Sequence, residues 1–262
     1  MFKNIFSGLS NFSYNLKKST MLNKHTPSEN RYAAYEYFQD KISKAQKENK
    51  SDEFNSLVEL FLSRFNIAIS NSIKDDEEKR YIKSYLDSLG ESVVEPVKNF
   101  INKNHIIAYP IEILDSIIGK EKTLDFLNTV LTTEDTLFDD PLVEKRIEIL
   151  KQFAGSTYHD VLSKALVFLN DSDDRLVIAS IRFIRDYIFA EGKEMDKVAE
   201  LMALKFVDPE TSARIRIELL NVFIEQDWKV SGVRKQFEEL LSEGYYINTQ
   251  GFVRVIQKAV IS

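Results

Sequence analysis

Apolar residues recur three and four positions apart along this chain in short runs, and the runs come in pairs. Tyr32, Tyr35, Phe38 and Ile42 line one side of a helix predicted from about Ser28 to Ala45, just after Pro27. The polar run Gln46 to Asp52 breaks the pattern, and Phe54, Leu57, Leu60, Phe61 and Phe65 restart it through Ile69. Asp75 and Asp76 open a further helix, whose stripe of Tyr81, Ile82, Tyr85, Leu86 and Leu89 stops at Gly90. A partner helix is predicted at once from Glu91 to Ile101, with Pro96 in its early turns, where the missing amide costs least.

The same two-helix unit returns. Pro110 opens a run that Gly119 ends, followed by Leu124, Leu127, Val130 and Leu131. Pro141 opens the clearest unit, with Val143, Ile147, Leu150 and Phe153 on its inner side, Gly155 as its stop, and Val161, Ala165, Phe168 and Leu169 in the second helix. Beyond the acidic turn Asn170 to Asp174 come Leu176 to Ile188 and then Lys193 to Lys205; the final pair is predicted at Pro209 to Gln226 and Val230 to Ser242. First helices therefore begin near 75, 110, 141, 173 and 210, a period of roughly 30 to 38 residues, and the turns are short enough to force antiparallel neighbours. Glu78-Lys79-Arg80-Tyr81 and Glu144-Lys145-Arg146-Ile147 even repeat in letters, at similar distances before Gly90 and Gly155. A hairpin of this size covers only part of its apolar surface, so the pattern predicts an all-α solenoid of stacked antiparallel helix pairs over 28–243. The helices from 28 to 70 are expected to cap it.

The two ends differ from the middle. Residues 244–262 contain Gly244, Gly251 and β-branched or aromatic neighbours, and are expected to form a short hairpin or extended strap. Met1 to Ser28 contains no acid and carries Lys3, Lys17, Lys18 and Lys24. Residues 1–27 are expected as a flexible or loosely docked arm. A targeting segment, or an arm using Phe2, Ile5, Phe6, Leu9 and Phe12 on a membrane surface or partner, is the alternative.

Composition narrows the chemistry. An apolar share of 44% suffices for a continuous core in 262 residues. With 41 acidic and 35 basic side chains the formal charge is -6, which argues against a general nucleic-acid binder. The absence of cysteine excludes disulfides, thiolate metal sites and cysteine nucleophiles, and fits a reducing, cytoplasmic location. No apolar window approaches the eighteen or so residues of a membrane-spanning helix.

Several segments carry a resemblance. The acidic turn ahead of Ala179, Ile181 and Ile184 looks like a HEAT repeat. Leu62 to Phe65, Asp75 to Lys79, Gly90 to Pro96, Phe223 to Val230 and Gly232 to Lys235 resemble segments of bacterial HEAT-repeat domain proteins. The likeness covers about 28–257 and implies an armadillo-like helical solenoid whose usual role is protein binding. One departure stands out: many HEAT units place Val and then Arg after the acidic turn, whereas here Arg175 precedes Leu176-Val177-Ile178.

Candidate sites are few. Asp171, Asp173 and Asp174 lack the Gly and terminal Glu of a calcium loop, and read as helix-capping acids. His25, His105 and His159 have no metal-ligand spacing, no glycine-rich phosphate loop exists, and no carboxylate pair stands out; no catalytic residue, metal or cofactor is expected. The best cluster is basic and aromatic: Arg175, Arg182, Arg185, Arg214 and Arg234 with Trp228, joined by Arg216, Lys229 and Lys235. Arg182 and Arg185 share a helix side, with Arg175 seven residues earlier, which predicts a local positive ridge. The plain reading pairs these arginines with Asp173, Asp174, Asp186, Glu218 and Glu225 and packs Trp228 at the edge of the last repeat. The leading functional expectation is a non-catalytic scaffold that binds a protein or peptide. Two alternatives rest on resemblance alone. Helical-repeat DNA glycosylases hold phosphates on such a ridge near an acid and aromatics, here Asp227-Trp228, and some HEAT-like proteins act as chromophore lyases on bilins.

Overall fold

The computed structural model describes residues 2–133 and 139–256, with the backbone alone given for 2–11. It is mostly helical: α1 (Phe2–Leu22), α2 (Ser28–Lys47), α3 (Ser51–Ser63), α4 (Ser72–Ser88), α5 (Val94–Lys103), α6 (Ala108–Ile118), α7 (Lys120–Val130), α8 (Asp140–Gln152), α9 (His159–Phe168), α10 (Asp174–Asp186), α11 (Gly192–Val207), α12 (Ala213–Glu225) and α13 (Arg234–Glu239). Strands β1 (Tyr245–Ile247) and β2 (Val253–Val255) close the chain as an antiparallel hairpin with Tyr246 opposite Arg254. The expected helical repeat with a terminal hairpin is what the chain forms; residues 257–262 of the strap lie outside the described residues.

The fold divides into two compact units, 1–126 and 127–262, with the division inside α7. The boundaries expected from the sequence were 27/28 and 243/244. In the first unit α2, α4 and α6 form one row, and α3 and α5 the row behind it, with α1 laid against α2. In the second unit α8, α10 and α12 form a row, α9 and α11 pack behind α10 and α12, and the hairpin rests on α12.

Local chemistry explains most boundaries. Asn71, Asp139, Asp173 and Ser212 each accept a backbone N–H with their side chains at the start of α4, α8, α10 and α12. Pro141 occupies the first turn of α8, where no amide is needed. Gly119 and Gly155 leave α6 and α8 at φ 84° and 73°, a backbone region costly for any residue with a Cβ.

Three expectations are corrected, and the arm takes a defined form. Within the stretch expected as a flexible or loosely docked arm, residues 2–22 form α1, in which Tyr14 packs edge-on against Phe38 and Met21 is fully buried. The side chains of Phe2, Ile5, Phe6 and Leu9, named for that arm, lie outside the described residues. The third helix ends at Ser63 rather than near Ile69: Arg64 to Asn66 form a 3-10 turn in which the Arg64 guanidinium reaches the Ile67 carbonyl at 2.7 Å. The helix expected from Pro209 starts at Ala213, since Thr211 folds back to hydrogen-bond the Lys205 and Asp208 carbonyls. The last helix covers only Arg234–Glu239, because Val230 donates its N–H to Gly251 and Lys229 bridges Phe252, so both residues extend the hairpin instead.

Candidate functional site

Two polar constellations stand out, one in each unit. In the first, Glu78 of α4 is 1% exposed and sits between Arg31 of α2, 2% exposed, and the fully buried Arg64. Its carboxylate accepts from Arg31 Nε at 2.8 Å and Nη2 at 2.6 Å, from Tyr35 Oη at 2.8 Å, from Ser28 Oγ at 2.9 Å and from Arg64 Nη2 at 3.4 Å. Arg64 also holds Asp75 at 2.9 Å, and Asp75 in turn holds Lys79 at 2.7 Å. Burial pushes the Glu78 carboxyl up, but the hydrogen bonds from Arg31, Tyr35 and Ser28 outweigh it and bring its pKa down to about 2. Burial raises the Tyr35 phenol well above its ordinary value. Every group here is saturated by its neighbours, so this is a brace between α2, α4 and the 3-10 turn.

The second constellation gathers most of the arginines singled out from the sequence. Arg175, Arg182 and Arg185 of α10 and Arg214 of α12 line one groove of about 430 Å³ together with Glu144, Ile147 and Lys151 of α8 and Ala154 just beyond its end. Leu150, Ile178 and Phe183, all buried, form its floor. The lining is therefore apolar at the base and net cationic at the rim, in a chain whose formal charge is -6.

Most of these cations have partners. Arg175 binds Asp173 at 2.7 Å, Glu144 at 2.6 Å and also Asp140, contacts that hold its pKa above the arginine value and the Asp173 carboxyl below the usual range. Arg182 reaches Glu218 at 2.5 Å, and Arg185 reaches Asp186 at 2.8 Å and Glu225 at 3.6 Å. Four of the predicted partner acids, Asp173, Asp186, Glu218 and Glu225, thus face arginines of α10, while Asp174 instead accepts from the Ser212 hydroxyl at 2.7 Å. Arg214 is exposed at the start of α12, and among the described residues no ion pair holds it.

The remaining members of the predicted cluster disperse. Trp228 is 2% exposed and packs edge-on against Phe189 and Phe223, so burial removes it from any binding surface. Arg234 bridges Glu238 and the Ile247 carbonyl, tying α13 to β1. Arg216 donates to the Phe206 and Asp208 carbonyls at the end of α11, and Lys229 lies over the Phe252 ring. The α8 side of the groove was missed in the sequence, although Glu144, Ile147 and Lys151 follow a three-and-four spacing that marks one helix face.

A larger recess of about 600 Å³ lies between α9 and α11, over Leu162, Leu166, Val198 and Leu201, with His159 and Glu194 3.3 Å apart at its edge. It gathers no comparable set of arginines. Among the described residues no group of three or more His, Asp or Glu side chains is placed to hold a metal ion, and no helix is long and apolar enough to cross a membrane. Comparisons with protein-family models, curated proteins and solved structures found no match to this chain.

Proposed function

We propose that this chain is a protein-interaction scaffold of HEAT-like architecture, working in a reducing, cytoplasmic setting, and that an extended segment of a partner lies in the groove between α8, α10 and α12. The observation that carries this reading is the groove itself: an apolar floor under a rim of Arg175, Arg182, Arg185 and Arg214. Such a rim suits a segment that alternates acidic with apolar residues. Apolar side chains would cover Ile178 and Phe183, and a carboxylate would meet Arg214. Each repeat contributes one helix to this surface, so the binding face follows from the stacking that builds the core.

The nucleic-acid alternative has less support. Arg175, Arg182 and Arg185 already face carboxylates, and the repulsion of Glu144, Asp186 and Glu218 would meet any phosphate placed among them.

Selection of a displayed random-peptide library on the full chain, counter-selected on the Arg182→Glu/Arg214→Glu variant, tests the proposal. Both positions are solvent-exposed, so the variant keeps its fold. Enrichment of acidic-apolar peptides that fail to bind the variant is expected. Peptides that bind both proteins equally would sink the assignment of the groove, and a low-salt gel shift lost in the variant would move the reading to nucleic acid.

A further inference from the structure

We infer that α9 and α11, the back row of the second unit, form a surface on which a second copy of this chain packs antiparallel, completing a four-helix bundle. The recess of about 600 Å³ between these helices is continued by a second hollow of about 220 Å³, and the two share Leu166 and Leu201. One trough therefore runs along both helices, from His159 and Glu194 at one end to Asn170 and Asp208 at the other, so α9 and α11 point the same way. Each packs on a helix of the front row, α9 on α10 and α11 on α12, and the trough lies open between them. Leu162 and Val198 are buried at its base, whereas Val167, Leu201 and Leu204 beside it are 55%, 46% and 47% exposed. Two parallel helices with an open apolar trough between them are half of a four-helix bundle.

The order of charges on α11 selects the occupant. At about 100° per residue Lys193, Lys197, Glu200, Leu201 and Leu204 fall within an arc of about 100°, and Asp208 follows at the helix end. On this stripe the lysines come first and the acids after them. Of the other acids in α11, Glu194 is held by His159 and Asp196 lies outside the arc. Asp208 has Lys205 at 3.5 Å, while Lys193, Lys197 and Glu200 have no ion pair among the described residues. A two-fold axis crossing α11 near Glu200 turns the copies antiparallel. Lys197 of each copy then meets Glu200 of the other, Lys193 approaches the other copy's Asp208, and the leucines interleave between them. Opposed helix dipoles favour the same orientation, whereas a parallel pair would set lysine on lysine. The chain thus carries both halves of the match on one face, and that face is separate from the groove of the front row.

Sedimentation velocity of the full chain over a dilution series tests this inference. A monomer–dimer equilibrium is expected. Leu201→Ser/Leu204→Ser should weaken it on the order of a hundredfold or more, because each copy loses two leucines that pairing takes out of water. Both are half-exposed in the single chain, so the variant should keep the parent's circular dichroism and unfolding midpoint. Lys193→Glu/Lys197→Glu and Glu200→Lys/Asp208→Lys should each be monomeric alone and should pair with one another when mixed, since the mixture restores every opposite charge. A full chain that stays monomeric at about 0.1 mM would overturn the inference. So would a dimer that Leu201→Ser/Leu204→Ser leaves intact, or charge variants that do not pair on mixing.

Discussion

Replacing Glu78 by glutamine keeps the size of the side chain but removes the one charge that faces both Arg31 and Arg64. Five hydrogen bonds reach the carboxylate, from Ser28, Arg31 twice, Tyr35 and Arg64, and both arginines are at most 2% exposed. Glutamine retains one acceptor oxygen, yet its NH2 group points donors at donors. Arg64 keeps Asp75, whereas Arg31 keeps only neutral oxygens, those of Ser28 and the Thr26 carbonyl. Removing one partner of a buried ion pair costs about 3 to 5 kcal/mol. The lowering of the Glu78 pKa from 4.5 to about 2, caused by these same hydrogen bonds, corresponds to a figure on the order of 3 kcal/mol. Glu78→Gln should therefore lower the urea midpoint of α2 and α4, followed by hydrogen exchange or circular dichroism, by about 1 M or more. The acid range gives a second reading. Folding depresses this pKa, so the stabilisation is fully present above about pH 4.5 and is lost as pH falls toward 2. The parent should weaken across that window, and Glu78→Gln should flatten the slope, leaving the smaller share of Asp75, whose pKa is also lowered. A variant whose midpoint stays within about 0.5 kcal/mol of the parent, the range of ordinary surface changes, would refute the idea that this brace stabilises the first unit.

Further predictions concern the second unit and its groove. Trp228→Ala should destabilise the second unit by about 3 to 5 kcal/mol in a thermal or urea melt, because its buried ring packs edge-on against both Phe189 and Phe223 and its loss leaves a cavity. Asp173→Ala removes the cap of α10 and should cost about 1 kcal/mol by the same melt. It also removes one of the three carboxylates that hold Arg175, so acidic-apolar peptides selected on the parent should bind this variant at least as tightly, measured by fluorescence anisotropy.

The repeated letters Glu-Lys-Arg show how far a sequence motif carries. Glu78 is buried with Ile82 and Leu86 on the inner stripe of α4, and Arg80 is exposed beside Asp76. In α8 the inner stripe is Val143, Arg146, Ile149 and Leu150, so Glu144 is exposed on the rim of the groove and Arg146 lies over the Phe168 ring. The three letters are the same, but they meet the inner stripe at different points, and the charges land in opposite environments. The arginines of α10 fared better, since their spacing is local to one helix and predicts a shared side whatever packs next to it. Trp228 did not, because an aromatic beside an acid looks alike at a binding edge and in a core.

Within one helix the order of residues is enough: the three-and-four spacing, the capping acids and the stopping glycines marked nearly every helix and the paired repeat, because those signals act over a turn or two of backbone. Contacts between residues far apart in the chain were decided only by tertiary packing. Arg31, Arg64 and Glu78 meet because α2, the 3-10 turn and α4 converge, and Val230 leaves its helical pattern because Gly251 offers it a hydrogen bond. Spacing along a helix states which side a residue is on, and only the packed neighbours determine whether that side meets water, a counter-charge or a core.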